Sequence, residues 1–524
     1  MEEQMVSGGQ PQKNPATEGT TLEVIQGAKP SVRATEATKR LKENYLFFGP
    51  VTALYAIFYA FCMYKNDSGV TFPFFVASTL CYFYFTLKKL EITLKSGSVF
   101  YAVSVMLLAI ATFCTDDARI IVLNKTGIFL LTISFLISQF FDVSKWGLGK
   151  YFTSIVNLLV SALEELPRPV SDMSGFTKKD QSPKTRNVIL VLLGLLFTIP
   201  IFLLVGALLS SADVFFRQIT DKIVAFVNLS NVFGVVVRIV LWYFGTYMIV
   251  AKLCKKSIRE DVTDHRHGEP ILAITVTSML SLMYLVFSGI QIFGLFLGQL
   301  QLPDGYTYAA YAREGFFQLL AVSILNLIIV LICMAFFKES KILKAVLTVM
   351  SLCTFIMIAS SAMRMILYVS TYDLTFLRII VLWALAVLFL LFIGVVASIF
   401  RTDFPLFRYG VTVVTVFYIA LAFSHPDYIC AKYNLEYSVK QPVDVSYLAS
   451  LSADAAPVLI PYIEEQGIAA KIITESDSMY HDYRNALKDK SWNRFLNHMH
   501  EVYLENQSLR HFNVSRYLGL KQIK

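Results

Sequence analysis

Apolar residues fall in long blocks along the chain, separated by short connections that carry most of the charge. A helix needs roughly 20 apolar residues to cross a bilayer. Eleven runs approach that length: Leu46–Tyr64, Val70–Leu87, Val99–Cys114, Ile120–Phe141, Val188–Ser210, Val232–Ala251, Ile271–Leu300, Gly315–Phe337, Ala345–Met363, Leu374–Phe400 and Tyr409–Phe423. The third and the last are short, and Asn124-Lys125 interrupts the fourth. Tyr151–Leu163 and Val214–Val227 are amphipathic but too short or too polar to span, which places them in the membrane interface. The pattern predicts an all-α, polytopic membrane protein of about eleven transmembrane helices.

The two ends of the chain differ from this middle. Residues 1–44 form a polar and then basic stretch: Met1–Pro30 has few large apolar residues and reads as disordered, and Ser31–Glu43 carries Arg33, Lys39, Arg40 and Lys42. The first 30 residues lack an apolar core, so no cleavable leader is expected and the first span acts as its own insertion signal. Residues 45–424 hold the bundle. Residues 425–524 mix charges of both signs with apolar residues at helical spacing, in Val445–Ile463 and Trp492–Leu504. They predict a small, mostly helical domain outside the membrane, long enough for a modest core.

Charge then orients the bundle. The connections bearing Lys88/Lys89, Lys178/Lys179/Lys184/Arg186, Lys255/Lys256/Arg259, Lys338/Lys341/Lys344 and Arg401/Arg408 alternate with poorer ones. Basic connections stay on the cytoplasmic side. An odd number of spans then predicts a cytoplasmic N-terminus and an extracytoplasmic C-terminal domain. The net charge of +8 is accounted for in this way and does not point to nucleic acid. Charged residues make up 16% of the chain, against ~25% in soluble proteins, which agrees with a lipid bilayer as the main partner.

Little points to redox or metal chemistry. Six of the seven cysteines lie in or beside apolar runs, only Cys430 stands outside them, and no disulfide framework or CxxC is present. His265-Arg266-His267 and His498-Met499-His500 lack the further ligands a metal needs, so neither metal nor cofactor is expected. Glu164-Glu165, on a predicted cytoplasmic loop, reads as solvated charge.

The candidate chemistry lies at the predicted outer ends of the later spans. Pro303-Asp304-Gly305 forms a turn before a helix whose first turns place Tyr311, Glu314 and Gln318 on one face, beside Arg313. Arg364, Tyr368 and Asp373 lie between the ninth and tenth spans, Arg378 opens the tenth, and Arg238 lies inside the sixth. Charge at membrane depth is costly unless paired or solvated. One reading is a cationic, tyrosine-rimmed pocket for a carboxylate or phosphate, on a small molecule or a lipid headgroup. The other is snorkelling arginines, structural ion pairs and an interfacial tyrosine belt.

No Walker loop, dinucleotide fingerprint, GxSxG, kinase set or HExxH is present, so nothing marks an enzyme. The stretch Tyr308-Ala309-Ala310-Tyr311-Ala312-Arg313-Glu314-Gly315-Phe316 resembles the signature of an uncharacterised bacterial membrane family, the domain of unknown function (DUF) 4153/4173 group. Arg364-Met365-Ile366-Leu367-Tyr368, followed by Tyr372-Asp373-Leu374-Thr375-Phe376-Leu377-Arg378, is similar to its second hallmark, and Tyr447–Ala455 to a later segment. The resemblance covers roughly residues 190 to 515. It implies a bacterial plasma (inner) membrane location and no particular activity. Three functions stay open. One is a non-enzymatic envelope protein that binds an anion for transport or sensing. Another is a transferase acting on a lipid-linked substrate, with Glu314 or Asp373 as base. The last is a structural subunit with a membrane-protein partner.

Overall fold

The computed structural model describes residues 32–144, 146–177, 198, 205–206, 209–213, 229–256, 258, 266–293, 315–401, 403–437, 443–487, 490–505 and 508–523. In chain order these form α1 (Val32–Glu43), α2 (Tyr45–Met63), α3 (Thr71–Lys89), α4 (Ser98–Cys114), α5 (Ala118–Phe140), α6 (Leu148–Ala162) and α7 (Arg168–Thr177). Then come α8 (Leu229–Cys254), α9 (Pro270–Gln291), α10 (Phe316–Phe336), α11 (Lys341–Tyr372), α12 (Phe376–Phe400), α13 (Leu406–Phe423) and α14 (Pro426–Tyr437). The short helices α15 (Val445–Leu448), α16 (Ala456–Glu465), α17 (Asp477–Ala486), α18 (Asn493–Glu505) and α19 (Val514–Leu520) end the chain. The one bridge among the described residues joins Gly268 to Phe337, and no strand is formed there.

Among the described residues, eight helices are long and apolar enough to cross a membrane: α2, α5 and α8 to α13. The fold is therefore all-α and polytopic. The second and third predicted runs are α3 and α4, the latter a 17-residue apolar helix. The fifth run, Val188–Ser210, falls almost wholly outside the described residues, as do Val214–Val227 and the end of the seventh run. At 32 residues α11 is much longer than the predicted Ala345–Met363. Its length of about 48 Å exceeds the ~30 Å of a bilayer core. The amphipathic segment predicted at Tyr151–Leu163 is α6, with Tyr151, Ser154, Leu158 and Ala162 buried and Leu148, Phe152 and Val160 exposed.

The spans pack in two groups. In the first, α2 lies between α3 and α8, and α3, α4 and α5 follow side by side. Aromatic rings fill this group: Tyr55 stacks on Tyr82 at 4.7 Å and Tyr59 on Trp242 at 3.8 Å. Threonines satisfy the buried phenols, Tyr82 with Thr52 at 2.8 Å and Tyr55 with Thr79 at 2.7 Å. In the second group α11 packs against α9, α10 and α12. Helix α13 touches both α12 and α4 and joins the two. Its Tyr418 donates to Asn124 of α5 at 2.8 Å, which gives the interrupting asparagine a structural partner.

Side-chain contacts sort the connections to two ends. At the basic end Arg40 pairs with Glu91 (2.6 Å), Lys252 with Glu164 (2.7 Å) and Lys338 with Glu269 (2.6 Å). Glu165 does not behave as solvated charge. It is 2% exposed and held by Lys255 at 2.5 Å, because α7 folds back under α8 and covers it. The opposite end carries the described residues after α13 and is called here the capped end. There Lys125 reaches out of its span to Asp67 at 2.9 Å. Arg510 donates to the Tyr64 carbonyl (2.6 Å), and the Val70 amide to the Phe512 carbonyl (2.8 Å). A side chain at Gly69 would run into the Arg510 carbonyl, so the close seat of the C-terminal segment on the α2–α3 connection requires glycine. The core of that segment (Leu448, Leu459, Phe495, Met499) is continuous with Phe316, Met365 and Leu374 at the ends of the spans.

Candidate functional site

Of the residues singled out from sequence, Tyr311, Arg313 and Glu314 lie outside the described residues. The others are placed as follows. Arg364 is 6% exposed on α11 and donates to Gln291 of α9 at 3.3 Å. Beside it Ser360 also donates to Gln291 (2.6 Å), and Ser361 to the Phe316 carbonyl (3.0 Å). Gly315 sits at φ +112°, and a Cβ there would come within 2.9 Å of the Arg364 guanidinium. One turn further along α11, Tyr368 lies under the Arg378 guanidinium, 4.4 Å from its ring centre. Arg378 donates to the carbonyls of Tyr372 and Asp373, and Asp373 itself holds φ +68°. Thus Arg364, Tyr368, Asp373 and Arg378 share the capped end of α11 and α12. Gln318 is exposed on the first turn of α10. Arg238 packs 5.0 Å over Tyr64 and donates to the Gly234 carbonyl, on a helix whose partners include α1, α2, α5, α6 and α7. No described contact joins it to Arg364.

Arg364 ends a line of buried polar side chains. On α9, Thr277, Ser281, Ser288 and Gln291 recur at helical spacing and face α11. Ser323 and Asn326 of α10, and Ser351, Thr354, Ser360 and Ser361 of α11, are fully buried against them. Asn326 donates to Thr354 at 3.0 Å across α10 and α11. The Ser281 hydroxyl meets no hydrogen-bond partner. Small and polar residues let membrane helices approach closely and bond across the seam. Between these polar groups the same helices bury Leu319, Met350 and Met357.

The capped end also holds a charge cluster that no sequence pattern announced. Four carboxylates, Asp116, Asp117, Asp427 and Asp454, are each 5% exposed or less. They come from the α4–α5 connection, from α14 and from the turn before α16. Asp454 accepts from Thr115 (2.6 Å), the Asp116 amide (2.6 Å), Ser515 (2.5 Å) and His425 (3.1 Å). Asp116 accepts from His498 (2.6 Å), Arg516 (2.6 Å) and the Ala453 amide (3.2 Å). Asp117 caps α5 and takes a two-pronged contact from Arg119, which also pairs with Asp427 and stacks 3.7 Å over Phe376. His498 and His500 point apart, the latter to Asp477 at 2.8 Å, so the H-x-H pair serves two different contacts.

Burial and pairing compete at these groups. Burial pushes the Asp116 carboxyl up, but the His498 hydrogen bond and the Arg516 charge outweigh it and hold the group below its usual range. The hydrogen bond to Asp454 raises His425. Burial pulls His498 down, and the Asp116 contact more than reverses it. Burial and the Asp117 charge push Asp427 up against the pull of Arg119 and the Ser452 amide. The only sequence signals for this cluster were the Asp116-Asp117 pair ahead of a span and the acidic Asp454. Neither predicts a partner some 300 to 400 positions away.

Further contacts tie the two features together. Asn434 of α14 brackets Leu374, with its carbonyl accepting at 2.7 Å and its amide donating at 2.9 Å. The Tyr447 hydroxyl accepts from the Phe376 amide at 2.9 Å. The connection that carries Asp373 and Arg378 is therefore clamped by the same segment that the carboxylate cluster anchors.

No curated protein and no solved structure matches the chain. The family described as Domain of unknown function (DUF4153) matches residues 102–462. This match begins at α4, well before the resemblance noted near residue 190, and takes in Asp116, Arg364, Arg378 and Asp454. With more than half of its length covered, from the short apolar helix α4 through the Arg364 region to α16, the chain belongs to the DUF4153 family.

Proposed function

We propose that this membrane protein binds a small anion at the capped end, between α9, α10 and α11, for transport or sensing. The observation that carries the reading is Arg364. Its permanent charge, 6% exposed, lies at the end of a seam in which three spans bury hydroxyls and amides, and Arg364 meets one of these, Gln291. A cation in such a low-dielectric seam attracts a carboxylate or phosphate far more strongly than one in water. Tyr368 and Arg378 stand one turn and one connection away and widen the same face. The C-terminal segment clamps the neighbouring connection. The basic connections support placing this end outside the plasma membrane, with the N-terminus cytoplasmic.

The test compares Arg364→Gln and Arg364→Lys with the unaltered protein in detergent. Melting is followed with added inorganic phosphate, acetate, succinate and chloride. The expected result is that one of the first three raises the melting temperature of the unaltered protein. Arg364→Gln should lose that rise, and Arg364→Lys should keep part of it. A purely structural arginine forecasts the opposite, since stranding its partners costs about 3–5 kcal/mol. If Arg364→Gln melts far lower without any ligand and no anion shifts the unaltered protein, the reading is wrong.

A further inference from the structure

The basic end holds a cavity of about 710 Å³ that lies at the opposite end of the bundle from Arg364 and does not depend on the function proposed there. Its size falls in the ~300–1,000 Å³ range of small-molecule sites. Four cations line it, Arg40 of α1, Lys95 of the α3–α4 connection, Lys256 after α8 and Arg408 of α13. Three carboxylates, Glu36, Glu91 and Asp142, line it as well, so four positive less three negative charges leave +1. Two of the cations are fixed in place by backbone. Lys95 donates to the Phe141 carbonyl at 2.7 Å, and Arg40 to the Leu90 carbonyl at 3.1 Å. The Ser144 amide holds the Asp142 carboxyl below its usual range, and Lys95 and Arg408 add to this, so Asp142 is ionised at neutral pH.

The depth of the cavity comes from α6. Its wall at Phe140–Val143 runs directly into that helix: the Trp146 amide bonds the Val143 carbonyl at 3.2 Å, and Tyr151 stacks 4.5 Å from Phe407, next to Arg408. Leu148, Phe152, Val156 and Val160 recur along α6 every four residues, and Leu163 follows just after it, all exposed. A helix with such a stripe lies in the plane of the bilayer with its apolar face at the headgroup–acyl boundary. The cavity beside it is thus level with lipid headgroups. Ile92, Phe140 and Val143 give it an apolar flank for the first carbons of an acyl chain.

We propose that this cavity holds the headgroup of a zwitterionic aminophospholipid, with its phosphodiester against the cations and its primary ammonium against the carboxylates. A purely anionic headgroup matches the cations but leaves Glu36 and Asp142 facing it, Glu91 being already paired with Arg40. A choline headgroup carries no N–H to donate to them. Phosphate and ammonium on one short linker answer both signs at once.

The test uses the full chain, stripped of lipid in detergent, with phosphatidylethanolamine, phosphatidylglycerol, phosphatidylcholine or soluble glycerophosphoethanolamine added separately. Phosphatidylethanolamine is expected to raise the melting temperature several times more than the other two lipids. Arg408→Gln and Glu36→Gln, both at exposed positions, should each lose most of that increment while melting as the unaltered protein does without lipid. Were either variant to fold poorly, Asp142→Asn supplies the same comparison. An equal or larger shift with phosphatidylglycerol, or equal shifts with all three lipids, overturns the proposal. So does a full shift with soluble glycerophosphoethanolamine at the same concentration, which would point to a soluble ligand instead.

Discussion

At the scale of single residues, two positions control the capped end. Gly315 adopts φ +112°, and its missing side chain leaves room for the Arg364 guanidinium. Gly315→Ala should cost about 1–2 kcal/mol through the left-handed backbone alone. It should also displace the guanidinium, so any anion-dependent rise in melting temperature shrinks more than stability does. Melting with and without phosphate separates the two effects. Asp454 gathers four donors in a space 4% exposed. Asp454→Ala strands them and should destabilise the protein by about 3–5 kcal/mol, read as loss of folded protein by gel filtration and melting. An Asp454→Ala protein that melts like the original would mean that water replaces the carboxylate freely. The Pro-Asp-Gly stretch at 303–305, the most conspicuous feature of the sequence, lies outside the described residues. Arg364 and Asp373 were legible because charge inside or beside an apolar run is rare. Asp454 was not, because an aspartate in a polar segment is ordinary until its burial is known.

At the scale of elements, the attachment of α14 to α19 is predicted to depend on pH. His425 and His498 have raised pKa values, from Asp454 and Asp116. Such a histidine adds stability that is complete below its ordinary value, about 6.5, and is lost as pH rises through the raised value. Asp116, lowered, adds stability that is complete above the ordinary carboxylate range and is lost as pH falls through its lowered value. The attachment should therefore be strongest in mild acid and weaken in mild alkali. Hydrogen exchange of amides in residues 426–523 is expected to speed up as pH rises from the ordinary histidine value through the raised ones, beyond the intrinsic effect of pH. A double variant, His425→Gln with His498→Gln, should flatten that excess. If the excess persists in the double variant, the histidines do not govern the attachment. The helices themselves were readable from apolar run length, since each run satisfies its own backbone. The extra turns of α11 were not, because Arg364 breaks the apolar run after Met363 while the helix continues through Met365 and Val369 to Tyr372.

At the scale of the whole molecule, charge sets which end of the bundle faces which side of the membrane. The basic end gathers Lys88, Lys89, Lys255, Lys338 and Lys344, which predicts that it faces the cytoplasm. Cys430 is a poor reporter despite lying outside the spans, because it is fully buried. Leu509, 88% exposed on the C-terminal segment, and Glu269, with a side chain 72% exposed at the basic end, are better sites. Leu509→Cys should react with a membrane-impermeant maleimide in intact cells whose outer surface is accessible, and Glu269→Cys only after lysis. The reverse pattern would invert the topology and move the Arg364 end to the cytoplasm.

Hydrophobicity and charge belong to single residues and short windows, so they determined on their own that the chain is a helical membrane bundle. They also predicted which connections gather as a basic end. The resemblance carried by the Arg364–Arg378 region depended on residue identity alone, and the family match agrees with it. What only the tertiary structure decided is which polar groups meet. Asp116 finds Arg516 and His498, and Arg119 finds Asp427, across some 300 to 400 positions of chain. Arg364 finds Gln291 on a different span, and Arg238 finds Tyr64 instead of Arg364. Such pairings follow from the order in which helices pack and from which groups that packing removes from solvent, and neither is a property of any local stretch of sequence.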